Sequence, residues 1–306
     1  MLPDLKIGLG TWSWANRLVW DYGTAFDESD LFAVYERMCQ LPHPLFCTSE
    51  GFSDGESERM LGRFSVRSPG KILVASKFIP RFWLFRRSDF QRHLQDSLKR
   101  LKRRVIDVYM IMPPNGWMSL RMLAECAVEA VEREQVRDIG VSNFTALQAA
   151  KFAEQLSHFG VSLSCIEAQY NLLNREVERN GIQQLCNNLK IPLIAQSPLA
   201  MGLLSGKFLA EPQRNGLRRQ LMARYPQRGL TGLIRQMNLI GSESQGRNAA
   251  QVALNWLIGK GALPIPGATS ADQVDENLDC LNWSLNESQM ERLDRFSAEM
   301  IEVGES

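Results

Sequence analysis

The sequence predicts an α/β fold, a single (β/α)8 TIM barrel over residues 1–306. Short β-branched or apolar runs recur eight times, each followed by a segment with apolar residues at helical spacing. No low-complexity or linker-like stretch divides them. Eight strand-then-helix units in roughly 270 residues match the size of one barrel, with its functional groups at the C-terminal strand ends. A doubly wound open sheet is the alternative. It would need a G-x-G-x-x-G turn after the first run to cradle a pyrophosphate, and none is there.

The expected strands lie at 7–12, 45–49, 72–78, 105–112, 138–143, 164–170, 191–198 and 262–268. Between them, Leu94, Leu98 and Leu101 stand at i, i+4 and i+7, and Val252, Ala253, Trp256 and Leu257 make a second helical stripe. Met290, Leu293 and Phe296 mark a last helix after strand eight. The basic run at 99–105 ends a helix, where cations favour the negative end of the dipole. Residues 208–248, between strands seven and eight, read as a long irregular connection. That connection holds Arg214, Arg218, Arg219, Arg224, Arg228 and Arg235, against the single acid Glu211 up to residue 240. Solvated surface is one reading of it. A lid that is mobile when empty and clamps an anionic ligand is the other.

Composition narrows the function. The 306 residues are 44% hydrophobic and 23% charged, too apolar for a disordered chain. A formal net charge of +1 gives no electrostatic reason to expect nucleic acid or an anionic membrane as partner. No apolar run approaches the roughly 20 residues that span a bilayer. The first residues lack a basic segment followed by an apolar one, so a soluble, cytoplasmic protein is expected. The six cysteines are scattered without a C-x-x-C pair, and His43, His93 and His158 are far apart. Neither a disulfide framework nor a metal site is therefore expected. Trp12, Trp14, Trp20 and Trp117 fall partly in loops at the expected mouth, where they either line an apolar ligand pocket or simply pack.

Several strand ends together resemble the aldo-keto reductase superfamily of nicotinamide-dependent barrels. The matching segments are 8–12 (GLGTW), 55–62 (GESERMLG), 94–101 with 106–109 (LQDSLKRL, IDVY), 140–144 (GVSNF) and 169–173 (QYNLL). Residues 197–199 with 202–207 (SPL, GLLSGK) and 265–267 with 276–277 (IPG, EN) complete the series in order.

That resemblance implies four side chains at the mouth. A tyrosine protonates the carbonyl oxygen as hydride arrives, a lysine lowers its pKa, an aspartate holds the lysine, and a histidine orients the carbonyl. The aspartate position here is Cys47, the tyrosine position Phe52 and the histidine position Met112, while Lys77 matches. Phe52 has no hydroxyl to donate, Met112 offers only a weak acceptor sulfur, and Cys47 is a neutral thiol unless ionised. Lys77 is expected among Cys47, Phe52 and Met112. There it either loses its proton for want of a counter-charge or pairs with an ionised Cys47.

By the same resemblance, NADP or NAD would be the cofactor. Ser142, Asn143 and Gln169 would bond the nicotinamide carboxamide; Ser197, Leu199, Ser205 and Lys207 would follow the pyrophosphate; Glu276 and Asn277 would meet the adenine. Gln196 stands where the family stacks an aromatic ring on the nicotinamide, and Thr269 and Gln273 where it places basic contacts to a 2′-phosphate. Three functions follow. One is a pseudoenzyme-like reductase with a degenerate site that still holds a dinucleotide or other small ligand. Another is an active oxidoreductase with different acid–base groups, such as water or Tyr22. The third is amine chemistry at Lys77.

Overall fold

Eight parallel strands form one sheet in strict sequence order, β1 to β8. The computed structural model describes residues 2–82, 84, 86–114, 118–210, 216–225 and 228–305. In chain order the elements begin β1 (Leu9–Gly10), α1 (Arg17–Trp20), α2 (Glu28–Met38), β2 (Leu45–Cys47), α3 (Glu56–Arg67), β3 (Leu73–Phe78) and α4 (Arg87–Leu101). Then come β4 (Ile106–Ile111), α5 (Leu120–Glu132), β5 (Val136–Ser142), α6 (Ala146–Ser157), β6 (Leu163–Gln169), α7 (Ile182–Leu189) and β7 (Leu193–Gln196). After β7 the chain makes α8 (Lys207–Ala210), α9 (Gly216–Met222), α10 (Leu230–Glu243) and α11 (Ala249–Gly259). It ends with β8 (Ala262–Pro264), α12 (Ala271–Leu278) and α13 (Glu287–Glu305). Each expected strand overlaps an observed one; β5 and β6 begin before their expected starts at 138 and 164.

The sheet closes on itself: Gly8 N–H donates to Pro264 O and Gly10 N–H to Pro266 O, each at 3.0 Å. Side chains alternate across each strand, so every second residue points into the barrel. Leu45, Cys47, Ala75, Met110, Cys165 and Ile194 belong to one buried interior cluster, distinct from the larger layer between strands and helices. Gly140 of β5 sits in this interior where a Cβ would stand 2.5 Å from Cys165 Sγ and 3.1 Å from Met110 Cγ. The missing side chain makes room for Cys165 and Met110, which fill the layer beneath the mouth. A second close approach explains the 55–62 segment: a Cβ on Gly62 would come within 2.3 Å of Arg100 O, so only glycine lets α3 and α4 touch there.

The connection after β7 differs from the irregular stretch expected. Among its described residues, α9 and α10 are helices, and α10 buries Leu230, Leu233, Ile234, Met237 and Ile240. Those apolar residues recur every three or four positions, a helical stripe that the arginines around it obscured. Arg214 and Glu211 lie outside the described residues, as does Trp117. Among the described residues no helix is long and apolar enough to cross a membrane. No group of three or more His, Cys, Asp or Glu side chains among them is placed to hold a metal ion.

Candidate active site

Lys77 is the fourth residue after Leu73 in β3 and shares the inward face with Leu73 and Ala75. It is 3% exposed. Its Nζ donates to Thr48 O at 3.1 Å and stands 3.2 Å from Glu167 Oε2. Glu167 lies inward on β6, is 0% exposed, and accepts from Ser142 Oγ at 2.8 Å through its other oxygen. A buried carboxylate and a buried ammonium thus meet across the barrel, each satisfied in part by the neighbouring strand end. Glu167 Oε2 faces the ammonium without an aligned hydrogen bond and keeps an acceptor lone pair unused.

This corrects the expectation that Lys77 lacks a counter-charge. Cys47 does not ionise to supply one: burial pushes its thiol up to about 12, against the lowering effect of Lys77 and with the raising effect of Glu167. The Phe52 ring centroid lies 5.2 Å from Lys77 Nζ, so the phenyl group partly covers the ammonium as a cation–π neighbour. Met112 follows β4 and is half-buried, its N–H donating to Phe78 O at 3.1 Å. The Lys77 amine is thus covered by the phenyl ring and held against a carboxylate. Tyr22, the expected substitute acid, packs edge-on against Phe26. Burial and Glu28 raise its pKa, and its other charged neighbours are Arg63, Arg17 and Asp27, none of them at Lys77.

The rim from β5 to β7 gathers the residues expected to meet a dinucleotide, with one reassignment. Ser142 pairs in register with Glu167, and it is Glu167 that its hydroxyl reaches, while Gln169 lies one inward step nearer the mouth. Gln169 Nε2 donates to Tyr225 Oη. Gln169 pairs in register with Gln196, and Asn171 Nδ2 donates to Ser197 O at 2.9 Å. Asn143 and Ser197 both adopt left-handed backbone, φ 59° and 52°, which turns the chain sharply at the end of β5 and just beyond β7. Beyond them Leu199 opens a 3-10 segment, Ala200–Ser205. Ser205 Oγ donates to Gly202 O at 2.7 Å and accepts from Lys207 N at 3.4 Å. At the start of α12, Gln273 Oε1 accepts from Thr269 N at 2.9 Å, and Ser270 Oγ caps Gln273 N. Glu276 is exposed and Asn277 buried on that helix.

The connection after β7 covers this rim. Arg218 donates to Met201 O at 2.9 Å and lies over the rings of Trp20, at 4.2 Å, and Phe208, at 5.1 Å. Burial lowers its pKa, opposed by Asp21. The arginine expected to clamp an anion is thus stacked between aromatic rings and seats α9 against α1. Trp20 also meets Trp12 edge-on at 5.6 Å, and Trp14 is fully buried against Phe46 and Phe64, so these indoles pack. Tyr225, near the end of the α9 turn, reaches down to Gln169, with Ser197 and Asn171 as further hydroxyl partners.

Glu167 and Tyr225 are the residues that sequence reasoning missed. A signal for the first was present. Cys165, Glu167 and Gln169 share one face of a strand expected to be buried, and an inward glutamate demands a cation.

The arrangement resembles known proteins over nearly its whole length. Pyridoxal reductase, chloroplastic, of Arabidopsis thaliana is 32% identical over 306 residues, covering 96% of this chain and 83% of that protein. A thermostable aldo-keto reductase, Tm1743, solved with the inhibitor epalrestat, superposes with a TM-score of 0.77 and 26% identity, covering 95% of this chain and 94% of that one. An aldo/keto reductase from Klebsiella pneumoniae, in complex with NADP and acetate, shares the fold with a TM-score of 0.74 and 22% identity, covering 95% and 91%. The model of the Aldo/keto reductase family matches residues 6–298, from just before β1 into α13. With that match over residues 6–298 and eight parallel strands in sequence order, the chain belongs to the aldo/keto reductase family.

Proposed function

We propose that this barrel holds NADP(H) or NAD(H) at the β5–β7 rim but is impaired in standard carbonyl reduction. One observation carries the reading. Among the described residues, the groups that accept from, pair with or cover Lys77 Nζ are the Thr48 carbonyl, the Glu167 carboxylate and the Phe52 ring, and none of these three donates a proton. The dinucleotide, when bound, would supply hydride to a carbonyl carbon. Ser142, Asn143 and Gln169 would orient its amide end. Ser197, Ser205 and Lys207 would follow the phosphates. Lacking an acid at the carbonyl oxygen typically costs on the order of 10²–10⁴ in rate.

The test is a cofactor-fluorescence titration followed by turnover on simple aldehydes and ketones. Binding without turnover is expected, and turnover above about 1 per second would defeat the reading. Restoring Cys47→Asp, Phe52→Tyr and Met112→His together should raise turnover, whereas single changes should do little, because such groups act as a unit.

The 32% identical pyridoxal reductase supports a second reading. An aromatic aldehyde with a hydroxyl on the adjacent ring carbon, as in pyridoxal, brings its own proton donor and would bypass Phe52. Reduction of pyridoxal and 2-hydroxybenzaldehyde, but not of benzaldehyde or 4-hydroxybenzaldehyde, would select it. Equal turnover of all four would reject it.

A further inference from the structure

We propose that Glu167 of β6 does the work of the carboxylate that β2 lacks at Cys47, so that the positive charge of Lys77 is kept by a counter-ion moved to the opposite wall of the barrel. Lys77 and Glu167 are both buried, and their charged atoms lie 3.2 Å apart. Two such charges are stable in the interior only together, since each alone would carry an uncompensated desolvation cost. The inward positions of β2 near Lys77 supply no charge. Cys47 is 1% exposed, and its thiol is held neutral by burial and by the carboxylate itself. Ser142 then fixes the second oxygen of Glu167, which aims the first at the ammonium. Glu167 is therefore a positioning residue: it acts through Lys77 and ties the ammonium to the β5–β6 side of the mouth.

The substitution at Cys47 and the glutamate at 167 are, on this account, one change in two places. A site that had merely decayed would have no reason to keep a buried lysine paired. The inference concerns the site of the proposed function but does not rest on turnover or on bound dinucleotide, because its readout is Lys77 itself.

The experiment is labelling of folded protein with formaldehyde and cyanoborohydride, which dimethylates only unprotonated amines, with Lys77 followed by peptide mass spectrometry across pH. Glu167→Gln should label Lys77 at least about tenfold faster than the parent at a given pH, with the profile moved to lower pH. Adding Cys47→Asp to that variant should return labelling to within about threefold of the parent, because the carboxylate is back on the β2 wall. A merely structural role for Glu167 would not be rescued from another strand. Unchanged labelling in folded Glu167→Gln, or fast labelling that persists in the double variant, overturns the proposal. Should Glu167→Gln alone fail to fold, the double variant decides: folded and slowly labelled supports the proposal, and unfolded or fast overturns it. Whether any aldehyde is reduced by the parent bears on the proposed function alone.

Discussion

Cys47 shows how a single position can look reactive in sequence and be inert in structure. Beside a lysine, a cysteine is ordinarily activated, since a nearby cation stabilises the thiolate. Here burial opposes ionisation more strongly than Lys77 favours it, and Glu167 neutralises that lysine. The folded pKa is raised, so the neutral thiol persists to high pH and thiolate appears only as pH approaches about 12. Alkylation of Cys47 by iodoacetamide at pH 8 should therefore be at least about a hundredfold slower than that of a model thiol. Its rate should still climb about tenfold per pH unit between 8 and 10, where a free thiol levels off. Labelling followed by peptide mass spectrometry checks this, and a rate matching glutathione would contradict it.

Among the elements, α9 turns on one side chain. Six arginines in one connection suggest repulsion and mobility, yet Arg218 is stacked on Trp20 and Phe208 and bonded to Met201 O. Stacking contributes roughly 0.5–2 kcal/mol and a charge-assisted bond about 1.5–3. Arg218→Ala should free α9 from α1 and the 3-10 segment without disturbing the strands. Amide hydrogen exchange is the measurement: protection should fall over 216–222 and stay unchanged in β3 to β6. Uniform loss across the barrel, or no loss at all, would show that α9 is held by something else. The β6 strand makes the complementary point. Its inward residues run from a thiol through a carboxylate to an amide, so one element sets both the charge beneath the mouth and the polarity at the rim.

The whole molecule is closed at two seams. One is the backbone pairing of β8 with the residues around β1. The other is α13, which ties the segment after β6 to α11. Asp294 Oδ1 accepts from Trp256 Nε1 at 3.0 Å and meets Arg175 at 3.2 Å, and Oδ2 accepts from Lys260 at 2.7 Å. Ser297 Oγ donates to Leu172 O at 2.6 Å on the same helix face. Asp294→Ala would leave the buried indole N–H of Trp256 without its acceptor and loosen this seam. A loss of about 2–3 kcal/mol in urea denaturation is expected, and no measurable change would mean that packing of α13 carries the seam unaided.

The barrel was legible because its signals are local and repeated: a β-branched or apolar run followed by a helical stripe, eight times over. The resemblance of the strand-end segments to the family is what pointed to Lys77, Cys47, Phe52 and Met112, and to Ser142, Asn143 and Gln196 on the rim. What the sequence did not disclose depends on distance across the barrel. Which inward side chain meets Lys77 is decided by strand order and register, which bring β3 and β6 face to face over an interior packed by Cys165 and Met110 beside Gly140. Whether Arg218 reaches outward for a ligand or inward to Trp20 is likewise decided by where α9 docks. Short-range pattern determined the elements, and the resemblance of their ends named the candidate groups; long-range packing alone decided the pairing of their charges, because Coulomb interactions depend on separation in space and not along the chain.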